Sequence, residues 1–442
     1  MNNVAKKIIL SVIFLSMYGL LFYFLLTAQL RMDFSSFYAS ALAYTQGTNP
    51  YHSIVASYFL IPIKLPANLN PPFFLQLFSP FTYLNFKWAS SLWFLCSLIF
   101  GNIGALLCFK LSCSEEFFKK NRLFLVFVYL GMYSTVMNTG IGQIGGFLLF
   151  FVMAGYYFYL QKQDCITGIF WGVIIAIKLF PALLFIFMLS QKRYLVFFIT
   201  AICSVLASLL PLFDRPELYS LYFNMLTRML WFGDNWNGSL YGFIFRLFVN
   251  IKSYQNLEMI KIIFLLFFII LSIWYGYTIN FFRKTTKSNP QSDHRAFCLT
   301  LVMMLLMSPL GWLYYFSLLI MPLTIIWQSF NHDKLRSNNV VLPWVLSLFL
   351  INFPLGYIES SSMHSIIYKL TIYSPYFYGL VIIAYLLSRI DESILPSRIG
   401  ELNNINYLHS LYLSLGLGVF ITLSSFIVHL IHTQYHNITA AY

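Results

Sequence analysis

Few side chains in this sequence can do chemistry, because only 9% of its 442 residues are charged. The first that can is Asp33. It stands where a long apolar run, Ile8 to Leu30, gives way to Asp33-Phe-Ser-Ser-Phe-Tyr-Ala-Ser-Ala-Leu-Ala-Tyr-Thr-Gln-Gly-Thr-Asn-Pro-Tyr51. Phe34, Phe37, Tyr38, Ala41 and Leu42 recur at helical spacing, so Asp33 caps a short interfacial helix that Gly47 ends. Its bland role is that cap; its chemical role is a general base facing the bilayer surface. The second is Lys178, near the middle of the apolar run Ile166 to Leu189. A lysine at helix centre costs about 2.5–3.5 kcal/mol on insertion, so it calls for a cavity or a partner, and an anionic headgroup matches it.

Other segments carry weaker signals. The turn Asn138-Thr-Gly-Ile-Gly-Gln143-Ile-Gly-Gly bends tightly, and Gln143 either hydrogen-bonds a sugar hydroxyl or caps a helix. In Trp231-Phe-Gly-Asp-Asn-Trp-Asn237-Gly-Ser239-Leu-Tyr-Gly-Phe-Ile-Phe-Arg246, aromatic rings beside amide and hydroxyl groups suit carbohydrate stacking, and Arg246 suits a phosphate. An aromatic interfacial belt has the same composition. Asn70-Pro-Pro stops a loop, which turn chemistry alone explains, and Pro309 breaks a helix before Trp312, Tyr314 and Tyr315. Asn237-Gly-Ser and Asn437-Ile-Thr match a glycosylation pattern that is common by chance. His429, His432 and His436 can share a helix face but lack a carboxylate or cysteine beside them, so they read as interfacial.

The elements that must position these residues are membrane helices. With 59% apolar residues, 20% aromatic and mean hydropathy +0.74, the chain cannot cover a water-facing surface. This excludes a soluble, a disordered and a fibrous protein. The net charge of +13 lies in short groups between apolar runs, as topology determinants do, and not on a basic face for nucleic acid. The six cysteines form no Cys-x-x-Cys, so neither a disulfide framework nor structural zinc is expected.

The run after Lys6 and Lys7 is too long for a cleavable signal and reads as a retained first helix with a cytoplasmic start. Further spans begin near Lys87, Leu123, Gly145, Tyr194, Met259, Arg295, Trp312, Val340, Tyr373 and Ser410, about eleven in all. Lys178 and Pro181 split Ile166–Leu189 into halves too short to cross, so a re-entrant hairpin is expected there. This orientation puts 17 of the 27 Lys and Arg inside and 9 outside, the direction required of cytoplasmic loops. The long loops Arg31–Asn70, Asp214–Lys252 and Leu355–Lys369 then lie outside, and chemistry is expected on that face. The expected fold is an all-α polytopic membrane protein, residues 1–442 forming one integral membrane domain.

Taken in order, these pieces resemble the polyprenyl-phosphate-dependent glycosyltransferases of the GT-C superfamily, and among them glycosyltransferase family 87. The resemblance rests on Asp33 with Phe37-Tyr38, Gly47-x-Asn49-Pro50-Tyr51, Asn70-Pro-Pro, Gly142-Gln143, Lys178 with Pro181, Asn237-x-Ser239 with Arg246, and Ser308-Pro309 with Trp312. It covers residues 8–330, a catalytic core, followed by C-terminal helices over 340–442.

The resemblance implies Asp33 as the catalytic base, Lys178 and Arg246 on the donor phosphate, and Tyr38, Gln143, Asn237, Ser239, Trp312 and Tyr315 around sugar and acceptor. It implies a polyprenyl-phosphate sugar as donor, mannose by family default, and a glycolipid or glycan acceptor. Membrane lipids are its surroundings, with no nucleic acid partner. The setting it implies is the plasma (inner) membrane, with the active site on the outer face and inversion at the anomeric carbon. The sequence departs from many relatives at Tyr314 and Tyr315, where they place histidine.

A lipid phosphate is already a leaving group, so the reaction needs a base, a cation and an aligned acceptor. No nucleotide-binding glycine motif or Asp-x-Asp is present, consistent with a lipid-linked donor and with no metal or other cofactor. The rival class is a transporter or flippase of lipid-linked sugars, which should show a second broken segment in an inverted repeat. Only one broken segment is evident.

Overall fold

The computed structural model describes residues 3–27, 32–52, 55–56, 63–65, 67–249, 256–285, 294–329, 337–359 and 365–390. Their backbone groups are paired almost wholly within helices, as an apolar chain in lipid requires. The chain begins with α1 (Asn3–Thr27) and α2 (Met32–Thr45). A two-residue antiparallel ladder, β1 (Val55–Ala56) on β2 (Ile63–Lys64), decorates the first long loop before α3 (Pro72–Phe78), which Pro72 starts. Asn85 caps α4 (Phe86–Ser112) and Ser114 caps α5 (Glu115–Gly131), each side chain accepting a backbone N–H of the first turn. The chain then bends by 62° into α6 (Tyr133–Ile141).

Next come α7 (Gly145–Leu160), α8 (Asp164–Ile177), α9 (Leu184–Ser190), α10 (Tyr194–Asp214) and two short helices, α11 (Leu218–Leu226) and α12 (Leu240–Phe248). The remainder is α13 (Leu257–Thr285), α14 (His294–Met307), α15 (Ile320–Ser329), α16 (Ser337–Ile351), α17 (Ile366–Leu370) and α18 (Pro375–Ser388).

Every residue of α14 is buried, so this helix, apolar nearly all round, is the axis of the molecule. On it Tyr156 of α7 stacks on Phe297 with ring centroids 3.5 Å apart, and Trp171 of α8 lies beside them. Small residues bring α8 against α10: a Cβ on Gly172 would meet the Thr200 carbonyl oxygen at 2.9 Å. One apolar core runs without interruption from Phe34 to Ile390, so α16 and α18 belong to the same body as the helices before residue 330. All six cysteines are free.

Among the described residues, four helices are long and apolar enough to cross a membrane: Phe86–Ser112, Tyr194–Asp214, Leu257–Thr285 and Ile366–Ser388. The bent pair α5–α6 makes a fifth if taken as one span. This is a membrane protein, with fewer full-length spans in the described residues than the eleven expected. The physical reason lies in the breaks. Gly142–Gly145 and Ser308–Pro309 divide the apolar runs, leaving α7, α14 and α15 only 10 to 16 residues long. The break in Ile166–Leu189 falls at Lys178, whose extended backbone (φ −146°, ψ 124°) separates α8 from a 3-10 turn at Phe180–Leu183. The expected span near Ser410, the three histidines of the last helix and the Asn437 pattern lie outside the described residues. Asn237 is fully buried, which rules out its glycosylation in this fold.

Candidate active site

Asp33 lies in the first turn of α2, one residue inside the helix, where a carboxylate favours the positive end of the dipole. The helix is fixed by its apolar face: Phe37 meets Phe74 edge-on at 5.0 Å, and Phe34 packs 5.7 Å from Phe78. Tyr38 is buried and donates its hydroxyl to the Leu84 carbonyl at 2.8 Å. That contact anchors α2 rather than presenting the phenol to a sugar.

Gly142 brings the glycine turn to Asp33. It ends α6 with φ +73°, and a Cβ there would sit 2.6 Å from that of Phe34. Trp93 clamps the turn from α4, donating its indole N–H to the Gly142 carbonyl at 2.8 Å. The next residue, Gln143, is thereby held against α2, and its side chain hydrogen-bonds the Asp33 carboxylate. Gly145 does the same on the other side. Its N–H donates to Asn138 Oδ1 at 2.6 Å, and a Cβ would fall 2.3 Å from the Tyr314 carbonyl oxygen.

Lys178 completes the group. Its Nζ donates to Asn70 Oδ1 at 2.6 Å and lies 5.8 Å from the centre of the Tyr315 ring. Asn70 is itself rigid: its backbone N–H and its amide both donate to Asn68 Oδ1, and its carbonyl accepts from Tyr51 at 3.0 Å. The Asn49-Pro50-Tyr51 and Asn70-Pro-Pro elements are thus one unit that aims Lys178. Burial pushes the Asp33 carboxyl up from 3.8 to about 6, against the opposing pull of the Gln143 hydrogen bond and the Lys178 charge. Asp33 keeps some accessible surface.

Tyr315 packs 5.1 Å from Phe180 and 4.7 Å from Tyr314, which stacks on Trp312 at 5.8 Å. The Tyr315 hydroxyl and the Trp312 indole N–H are buried and have no hydrogen-bond partner among the described residues. Leaving a buried donor unpaired costs about 1–3 kcal/mol, and each of these two is free to donate to a ligand. Asp33, Gln143, Lys178 and Tyr315 come from four separate stretches of the chain and meet here.

Three residues expected in the site are used by the chain itself. Arg246 is 1% exposed. Its guanidinium donates to the carbonyls of Gly233, Asp234, Asn237 and Tyr373 and to the Ser374 hydroxyl. Those contacts occupy the fork, and no phosphate is needed to satisfy it. Asn237 gives its amide to the Phe232 and Pro309 carbonyls and accepts from Ser239 and Gly311. Ser239 caps α12, accepting from Gly242 N–H at 3.0 Å and donating to Pro309. Residues 237 and 312 form a β-bridge, so these groups hold Trp312 and Tyr314 in place.

The sequence offers Asn70 only as part of the Asn70-Pro-Pro element and assigns no site role to it, to Asp234 or to Tyr357. Asn70 was fully explained by its prolines. Asp234 had no local pattern, and Tyr357 sits in a loop notable only for its length. Its hydroxyl donates to the Asp234 carboxylate, 123 residues away, a pairing no spacing rule reaches.

No curated protein and no solved structure matches the chain significantly. The family model described as glycosyltransferase family 87 matches residues 68–309. That match takes in Asn70, Gln143, Lys178 and the whole Asn237–Arg246 framework, and begins after Asp33. It spans more than half of the sequence and agrees with a helical membrane architecture. The chain belongs to glycosyltransferase family 87 and is a membrane glycosyltransferase.

Proposed function

We propose that the protein moves a hexose, mannose in the first instance, from a polyprenyl-phosphate donor to a hydroxyl of a glycolipid or glycan on the outer face of the plasma membrane. The observation that carries this reading is the meeting of a base and a cation: Asp33 and Lys178 share one site with Gln143 and Tyr315. The N-terminus is cytoplasmic in this proposal. The broken segment Ile166–Leu189 dips from the cytoplasmic side and carries Lys178 up to the outer cleft.

In the reaction, the acceptor hydroxyl oxygen attacks the anomeric carbon and its proton passes to the Asp33 carboxylate. The bond from that carbon to the phosphate oxygen breaks, and its electron pair leaves with the lipid phosphate. Lys178 meets the charge that develops there. Attack opposite the leaving group inverts the anomeric carbon. Gln143 holds the carboxylate, while Tyr315 and Trp312 offer their unspent donors to sugar oxygens. Because the leaving group is a phosphate met by a lysine, the step as proposed uses no metal or other cofactor.

Purified protein should consume synthetic polyprenyl-phosphate-mannose only when cell lipid extract supplies an acceptor, and Asp33→Ala should abolish consumption. Equal rates for wild type and Asp33→Ala would reduce Asp33 to a helix element and end the mechanism. If neither protein consumes mannose, glucose or arabinose donors, a flippase of lipid-linked sugars becomes the better reading.

A further inference from the structure

Behind the aromatic wall of the site stands a second acidic residue with its own supports. Asp234 is buried, at 2% exposure. Arg246 lies behind it, bonded to its carbonyl, and places a permanent charge near its carboxylate. In front of it is Tyr357, which donates its hydroxyl to the carboxylate yet remains 47% exposed. The Tyr357 ring is braced edge-on by Trp236 at 5.2 Å. Its loop is bolted down by Asn235, which pairs with Gly356 and Ile358, and by Trp236, whose indole donates to Leu355 at 2.8 Å.

An exposed tyrosine whose proton is committed to a buried carboxylate presents a phenol oxygen with free lone pairs and added electron density. Its ring offers an apolar face beside that acceptor, the combination that suits a pyranose. The residue is also joined to the catalytic cleft. The β-bridge between Asn237 and Trp312 ties the Asp234 segment to the stacked rings of Trp312 and Tyr314, which lead to Tyr315 beneath Lys178. The charges of both Asp33 and Asp234 are felt at Tyr314 and at Tyr357.

We propose that Tyr357 is a second sugar-binding point of this site, receiving a hydroxyl of a hexose ring at the end away from Lys178, with Asp234 and Arg246 as the positioning residues that hold and polarise it. The proposal rests on the glycosyl-transfer reading for the identity of the sugar, not for the existence of the contact. The hexose is either the one being transferred or the acceptor's.

Two variants and two readouts test it. Tyr357→Phe removes one oxygen and keeps the ring on Trp236; Asp234→Asn keeps the shape and removes the charge. Each should raise KM for one sugar substrate about tenfold or more, with a smaller change in kcat. Which KM moves tells donor from acceptor. Independently of turnover, titration with methyl α-D-mannopyranoside and with a phosphonate analogue of the donor should change tryptophan fluorescence through Trp236 in wild type and in Asp33→Asn. The change should weaken in Tyr357→Phe. If wild type does not transfer sugar but shows the fluorescence change, and Tyr357→Phe loses it, the transfer reading fails while the binding point stands. Unchanged KM values and an unchanged titration in Tyr357→Phe would overturn the proposal. So would wild-type fluorescence indifferent to both ligands, or a fall in Tm in both variants with no change in either KM.

Discussion

As the proposed base, Asp33 has two tasks that oppose each other: it must be ionised to receive the acceptor proton and basic enough to keep it. A carboxyl brought to about 6 by burial meets both near neutral pH, whereas one at its ordinary value would be a weaker base by some two orders of magnitude. Because the ionised form is active, kcat/KM should rise with pH and level off above a limb near 6. Lys178 pulls that pKa down, so Lys178→Met should move the limb to higher pH as well as lowering kcat, by about 10²-fold or more. A rate profile flat between pH 5 and 8, or a limb that stays put in Lys178→Met, would separate the two residues functionally. Both were legible in the sequence for a simple reason: a charge beside or within an apolar run is costly enough to call for an explanation. The partners that tune them were not. Gln143 was ambiguous, and Asn70 looked like turn chemistry, because a neutral amide carries no such cost on its face.

At the scale of elements, helix ends and the turns between them set the site, and the glycines where α6 passes into α7 control how closely those turns approach. Gly145→Ala would drive a methyl into the Tyr314 carbonyl, so it should cost about 1–3 kcal/mol of stability and up to about 100-fold in turnover by parting the Gln143 turn from Tyr315. Thermal unfolding and the donor-consumption rate of the same preparation would check both. Arg246 gives the contrasting case. Arg246→Lys cannot satisfy four carbonyls and a hydroxyl with three rotating donors, and should lower stability by about 3 kcal/mol or more. Were it a phosphate ligand, the same change would raise donor KM and leave Tm in place. The sequence announced the breaks at Lys178 and Pro309 correctly, since proline and a stranded charge act locally. It showed that the halves around Lys178 are too short to cross, but not that α7, α14 and α15 are, because the apolar composition continues through their breaks.

Over the whole molecule, orientation is the property that decides whether the site faces outward, and the chain carries its own reporter. Cys165, at the start of α8, is exposed, while Cys108, Cys113 and Cys298 are buried and Cys96 and Cys203 are partly covered within membrane-length helices. With the N-terminus inside, a membrane-impermeant maleimide should label Cys165 only after the membrane is opened. Tyr83→Cys, placed at a residue 89% exposed between α3 and α4, should react in intact cells. The reverse pattern would turn the molecule over and put the cleft in the cytoplasm. Charge bias was readable from sequence because insertion responds to it; the packing of α16 and α18 into the common core was not, since apolar helices in lipid and in protein look alike.

One carbonyl group has a consequence for biosynthesis. The oxygen of Leu355 accepts from Tyr133 at 2.5 Å and from Trp236 at 2.8 Å, and Asn352 nearby accepts from the Tyr133 backbone. The loops that frame the cleft are thus locked together by a segment made after most of the chain has left the ribosome. A nascent protein arrested before that point would carry Asp33, Gln143 and Lys178 already inserted, with the Trp93 and Asn70 contacts in place but without the ties from Leu355 and Asn352 to Tyr133 and Trp236. The last elements made thus join the Tyr133 and Trp236 segments only once the chain is nearly complete.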